Sequence, residues 1–360
     1  MNTKITIAAL IAILLCSSCK DNSKSVNWNP TDTTGSNFAL ILCEGLWGYN
    51  NSTICKLNLL NFSIIRDFTS IANPNFKIGD LGNDIAIKGD TFFVVVTTSK
   101  VIEFFDVRTG KLLGYITFEG NSAPRRMDFI NDSLLAVSDL YQDCVYIVNF
   151  RTKRVVNKIQ VGPAPEFVVH FDGKLFISNS GYGDFRANEP KAGTLSVVNL
   201  SKMAEVKNIW IGPNPIEIVF DRKRNLMFVS YNHLPSNKDS VGGIVVLNPV
   251  TLERIREFKT PVRSMYLAED DGSLFFIAER NVSRLFFESN TIDTVLINND
   301  PKENWYSVAY DFMNKNILIG NARNYTIEGE ILIFKLMQQN VIFLTKASVG
   351  VNPSEIIIKN

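Results

Sequence analysis

Histidine is almost absent from this chain of 360 residues: only His170 and His233 occur. Two imidazoles leave little for a histidine-based metal site or a proton shuttle. Charge of one sign is also missing. The 37 basic and 36 acidic residues nearly cancel, so electrostatics makes no case for nucleic acid as a partner or for an anionic membrane surface. There is no G-x-S-x-G elbow, no H-E-x-x-H and no phosphate-cradling glycine loop, which removes the usual serine-hydrolase, zincin and nucleotide-binding signatures. No window of ten or more residues carries a convincing helical period.

The one long apolar run is short for a membrane span. It extends from Ile5 to Leu15 behind Lys4. Eleven residues at about 1.5 Å each fall well short of a hydrocarbon layer of about 30 Å. A charged start, a short apolar stretch and then small residues read as a secretory signal. Residues 1–18 are expected to be that signal and 19–37 a polar, flexible tether.

What is present is strand-forming. Apolar residues make up 46% of the chain, with 25 Phe and 10 Tyr, ample for a large core and suited to a half-buried pleated surface. One unit recurs: TICKLN (53–58), VIEFFD (101–106), CVYIVN (144–149), TLSVVN (194–199), GIVVLN (243–248), RLFFE (284–288) and EILIFK (330–335). The copies lie 40–50 residues apart and most end in a polar residue before a turn. A period in the forties with only strand-length apolar runs is the signature of a propeller. Runs such as KLFISNSG (174–181) precede the repeated strand, and Gly-x-x-Pro precedes an innermost strand at 161–169, 211–219 and 349–357. Proline is tolerated there because a strand's first N–H is the least missed.

The expected fold is therefore an all-β, seven-bladed β-propeller over 38–360, with four antiparallel strands per blade. The folded part is expected to begin at Phe38 without an innermost strand and to end with PSEIIIK, an innermost strand without partners. Joining the two closes the ring and removes a free sheet edge.

The unit TLSVVNLSKMAEVKNIWIGPNPIEIVFDRKRNLMFVSYN resembles the YVTN repeat of YncE-like seven-bladed propellers. The segments LCEGLWGYNNSTICKLN and IGDLGNDIAIKGDTFFVVV look like the first blades of propeller lipoproteins of gut-type Gram-negative bacteria. Some of those relatives capture corrinoids at the cell surface for a TonB-dependent transporter. Leu15-Cys16-Ser17-Ser18-Cys19 resembles a lipobox. The resemblance implies cleavage before Cys19 and a diacylglycerol on its thiol; a plain cleaved signal is the alternative. It implies a membrane-anchored envelope protein facing the surface or the periplasm, and with it a small-molecule ligand and an outer-membrane transporter as partners. A closed ring needs no second copy, so a monomer is expected.

Strand alternation puts the loops between second and third strands on one face of the disc, together with those between blades. Function concentrates on loops held by a rigid scaffold. These loops carry Trp47, Tyr49, Phe76, Tyr141, Tyr182, Phe185, Arg186, Tyr231, His233, Trp305, Tyr306, Arg323 and Tyr325, side chains that join large apolar area to a polar tip and suit a planar ligand or a protein partner. The expected role is non-catalytic ligand binding without a resident cofactor or metal. Two other roles stay open. One is an interaction or adhesion scaffold. The other is a metal-dependent, lactonase-like hydrolase using Asp84, Asp128, Glu166, Glu217 and Glu355, which do not occupy one equivalent position in the repeat. Asp80 to Asp84 offers either a Ca²⁺ site or an Asp/Asn-stabilised turn. Cys43 and Cys55 are read as buried thiols, with a cross-strand bridge as the alternative. His170 is read as a core residue.

Overall fold

The middle strands of the repeat are apolar on both faces. TFFVVV (Thr91–Val96) and CVYIVN (Cys144–Asn149) are buried almost throughout, whereas the outer strand Leu112–Thr117 alternates. Sheets that stack face to face need this pattern, because each middle strand meets a neighbouring sheet on either side. The computed structural model describes residues 37–237, 240–338 and 340–359. It is a seven-bladed β-propeller of four-stranded antiparallel sheets.

Blade 1 is built from Pro353–Lys359, Phe38–Cys43, Thr53–Asn58 and Ile64–Ile65. The innermost strands of blades 2 to 7 are Gly82–Lys88, Pro124–Phe129, Pro165–Phe171, Asn214–Asp221, Met265–Ala268 and Trp305–Asp311. Each packs against the innermost strands on its two sides, and Pro353–Lys359 meets both Trp305–Asp311 and Gly82–Lys88. The closing register pairs Phe38 with Lys359, Ala39 with Ile358 and Leu40 with Ile357. Ala39, Leu40, Ile41 and Leu42 are fully buried, so the closing strand covers apolar surface as well as a sheet edge.

The polar residue that ends each repeated strand has a structural reason. Asn58, Asp106, Asn149 and Asn248 each accept the backbone N–H groups two and three residues on, as Asn149 does from Arg151 (3.0 Å) and Thr152 (2.9 Å). The side chain thereby makes the turn that the backbone alone would leave open. Glu288 and Lys335 lie in blades 6 and 7, where this device is not used. There the third strand of blade 6 is Asn281–Phe286, a few residues earlier than 284–288.

Blade 1 departs from the pattern. Its outer strand has two residues, and a five-residue helix, Phe68–Ala72, follows. Phe68 is buried and stacks on Phe92 at 6.3 Å. Cys43, Cys55 and Cys144 are buried free thiols. Cys43 pairs in register with Thr53 and Ile41 with Cys55, which makes the two cysteines diagonal neighbours. The signal, Cys19 and the tether up to residue 36 lie outside the described residues.

Candidate functional site: the axial cavity and its aromatic mouth

Side chains reach the propeller axis through an irregularity that recurs in the innermost strands. Opposite the second strand, Pro124 pairs with Asp139 and Met127 with Val137, so Arg125 and Arg126 together face Ser138. The same shift places Glu166 and Phe167 opposite Ser178, and Ile216 and Glu217 opposite Ser230. Single-residue shifts release Asn83, Tyr306 and Ser354. These are β-bulges, which re-aim side chains at a fixed point of a strand. The serines hold them open. Ser138, Ser178 and Ser230 accept the N–H groups of Arg126, Phe167 and Glu217 at 3.1, 3.0 and 3.1 Å. Ser138 and Ser178 also donate to the carbonyls of Glu166 (2.9 Å) and Ile216 (2.7 Å) in the next blade.

The bulges surround a cavity of ≈ 530 Å³ lined among others by Arg125, Arg126, Glu166, Glu217, Arg263 and Glu355. Arg126 binds Glu355 at 2.6 Å and lies 3.5 Å from Asp84. Arg125 binds Glu166 at 2.8 Å and the side-chain amide oxygen of Asn83. Burial pushes the Glu217 carboxyl up to about 7, against the pull of Arg126. Burial, and then the neighbouring Asp84 carboxylate, hold Glu355 well above the usual carboxylate range. Burial also raises Asp84, less Arg126's contribution. Burial pulls Arg126 down, but Glu355 and Asp84 more than offset it and its net shift is upward. Three carboxylates, Asp84 buried and Glu217 and Glu355 partly buried, thus face one guanidinium, and each is raised above its ordinary range.

Four of the five acids considered from sequence meet around this axis: Asp84, Glu166, Glu217 and Glu355. Glu217 and Glu355 stand two residues after their prolines, as Arg126 does, whereas Glu166 stands one residue after Pro165 and Asp84 follows no proline, so the acids do not occupy one equivalent position. Asp128 does not join them. It accepts the N–H groups of His170 (2.6 Å) and Phe129 (2.8 Å). Among the described residues no group of three or more His, Cys, Asp or Glu side chains is arranged to hold a metal ion. The Asp80 carboxylate receives the Gly48 N–H at 2.9 and 3.0 Å and fastens one loop to another.

The mouth of the cavity is aromatic. Tyr182 and Phe185 lie 5.4 Å apart on the loop that follows Lys174–Asn179, and they wall a second pocket of ≈ 500 Å³. That pocket shares Glu166 and Ile216 with the axial cavity. Phe185 is 85% exposed, a costly position for a phenyl ring without a partner. Across the mouth, Arg263 stacks 5.5 Å over Tyr306 and 5.9 Å over Tyr325, and donates to the Tyr325 hydroxyl at 3.0 Å. Tyr306 donates to Glu44 at 2.9 Å.

The loop residues named from sequence divide into three groups. Tyr182, Phe185, Tyr306 and Tyr325 line or flank the opening, with Tyr141 beside Tyr182. Trp47, Tyr49, His233 and Arg323 are exposed on their loops. The remaining four serve the scaffold. Tyr231 is 3% exposed and bonded to Lys259 at 2.6 Å, and Trp305 is 4% exposed with its indole N–H on Glu303 at 2.8 Å. Phe76 packs edge-on against buried Phe105 at 5.8 Å. Arg186 ties its loop to Asp143 and Glu189 through bonds of 2.6 to 2.8 Å. A strand-end aromatic and a loop aromatic look alike in sequence, and burial separates them only once blades are stacked. Arg125, Arg126, Asn83, Glu44 and Arg263 were not singled out from sequence. Their signal is the pair of positions following the repeat's proline, visible for Arg125 and Arg126 and absent for the other three.

No protein-family model matches this chain, and no curated protein matches it either. Solved structures do. A quinonprotein alcohol dehydrogenase-like protein from Bacteroides thetaiotaomicron superposes with a TM-score of 0.68 at 13% identity, covering 93% of this chain and 80% of its own. Kuenenia stuttgartiensis hydrazine synthase superposes with a TM-score of 0.63 at 14% identity, covering 76% of this chain and 88% of its own. The shared property is the fold. At such identities the chemistry of a site does not transfer.

Proposed function

We propose that this chain is a non-catalytic ligand-binding protein of the cell envelope, anchored through lipid on Cys19, that captures a planar nutrient on its loop face and passes it to an outer-membrane transporter. The supporting observation is the exposed Tyr182–Phe185 pair, which walls the pocket that adjoins the axial cavity through Glu166 and Ile216. Exposed rings beside a walled, polar-floored cavity are what a ligand with a flat apolar face requires. The likeness to YVTN-repeat lipoproteins suggests a corrinoid as the first compound to try, resting on the mouth because a macrocycle is larger than the cavity beneath.

Calorimetry on the detergent-solubilised full chain with a panel of corrinoids and other planar macrocycles tests the reading. At least one compound is expected to bind, and Phe185→Ala with Tyr182→Ala is expected to weaken it at least tenfold. No heat from any member of the panel would sink the proposal. A second reading, a protein-interaction scaffold, draws on Trp47 and Tyr49, which are 76% and 70% exposed on one loop. It expects Trp47→Ala to abolish co-purification with an outer-membrane partner while leaving ligand heats unchanged.

A further inference from the structure

The axial cavity has a chemical preference that the aromatic mouth does not reveal. Its floor is out of electrical balance. Arg126 is already bound to Glu355 and lies beside Asp84. Glu217, which faces the same space from blade 5, forms no ion pair among the described residues. One of its oxygens accepts the Met265 N–H at 2.8 Å, and the other accepts no hydrogen bond among the described residues. Arg125 is committed to Glu166 and Asn83, and Arg263, which also lines the cavity, is held against Tyr306 and Tyr325 and forms no ion pair among the described residues. The centre therefore carries carboxylate oxygen that the protein's own cations do not neutralise, inside a cavity whose walls include Phe167, Ile216, Val308 and Ile357. A partly buried carboxylate without an ion-pair partner is under-compensated, and a cation brought in by a ligand supplies what it lacks.

We propose that the axial cavity selects an organic cation, a ligand whose ring rests on the Tyr182–Phe185 shelf and whose ammonium group reaches Glu217 and Glu355. This rests on the ligand-binding reading above and narrows it to a charge class. The shelf supplies area and ring stacking. The floor supplies a charge-assisted hydrogen bond. Indifference to charge would require a balanced floor, and selection of an anion would require Arg263 to leave its two tyrosines.

Three probes with one ring and three charges separate these cases: 2-phenylethylamine, 2-phenylethanol and phenylacetate, titrated calorimetrically into the full chain at pH 8. The amine is expected to bind about tenfold more tightly than either of the others. Glu217→Gln, which keeps shape and removes charge, is expected to cost the amine about tenfold and leave the alcohol unchanged. Glu355→Gln serves as a second variant, and thermal melts confirm that both are folded. Equal binding of the three probes, tighter binding of phenylacetate, or an amine affinity indifferent to both substitutions overturns the inference. If all three bind equally and Phe185→Ala weakens them alike, the mouth stands and only the charge preference falls. If neither these probes nor the planar panel gives heat, both readings fall.

Discussion

Glu103 sits in the third strand of blade 2, 6% exposed, with one carboxylate oxygen that has no partner. Burial pushes its carboxyl up to about 8. In the unfolded chain the same group ionises near 4.5. Between those values the unfolded state has released a proton that the folded state keeps, so stability falls as pH rises through that window, by up to about 1.4 kcal/mol per pH unit. Glu103→Leu is expected to melt at a higher temperature than the parent at pH 8, with the advantage shrinking toward pH 4.5, as measured by thermal unfolding across that range. An advantage that does not change with pH would point to packing alone. Glycine in the Gly-x-x-Pro turn has an equally local reason. A Cβ on Gly162 would lie 2.5 Å from Asn179, and one on Gly212 the same distance from Tyr231. The turn lies directly on the end of the second strand, where a methyl group has no room.

At the scale of the strand, the bulges after Pro124, Pro165 and Pro215 each rest on one serine hydroxyl of the neighbouring strand. Ser138 is fully buried and serves the Arg126 N–H, and it also bonds the Glu166 carbonyl of the next blade. Ser138→Ala would leave both groups buried without a partner, a loss of about 2 kcal/mol in urea unfolding, together with weaker ligand heats because Arg125 and Arg126 are no longer held. The closing strand is the other element on which much rests. Deleting 353–360 would expose the edge of Phe38–Cys43, and the truncated chain is expected to lose its cooperative melt and aggregate, as followed by calorimetry and light scattering. A parent-like melt would show that closure is dispensable. These elements also explain what the sequence disclosed. Strand count, closure and turn chemistry are periodic, and a periodic signal accumulates over seven copies. The bulges are local, and they turn two residues that look like ordinary strand alternation toward the axis. Hence Arg125 and Arg126 went unnoticed while Tyr231 and Trp305, which are packing residues, looked like contacts.

Over the whole molecule, the acids of the axis oppose folding where they would serve binding. Glu217 keeps its proton in the folded state up to about 7, so its contribution to stability declines as pH rises from the unfolded carboxylate range to that value. Glu217→Gln is therefore expected to raise the melting temperature at pH 8 and to lower affinity for the cationic probe in the same protein. Stability and function moving in opposite directions mark a site whose strain is kept for a ligand. A variant that lost both would instead mark Glu217 as a structural residue.

In blades 4 and 5 the proline, the glycine before it and the serine of the neighbouring strand form a socket, and the two residues after the proline, Glu166–Phe167 and Ile216–Glu217, line the axial cavity. Exchanging them changes what the centre of the ring attracts while the frame keeps its shape. A descendant of this chain could acquire a new cargo by altering a few side chains at the hub, with no loop rebuilt and no blade disturbed.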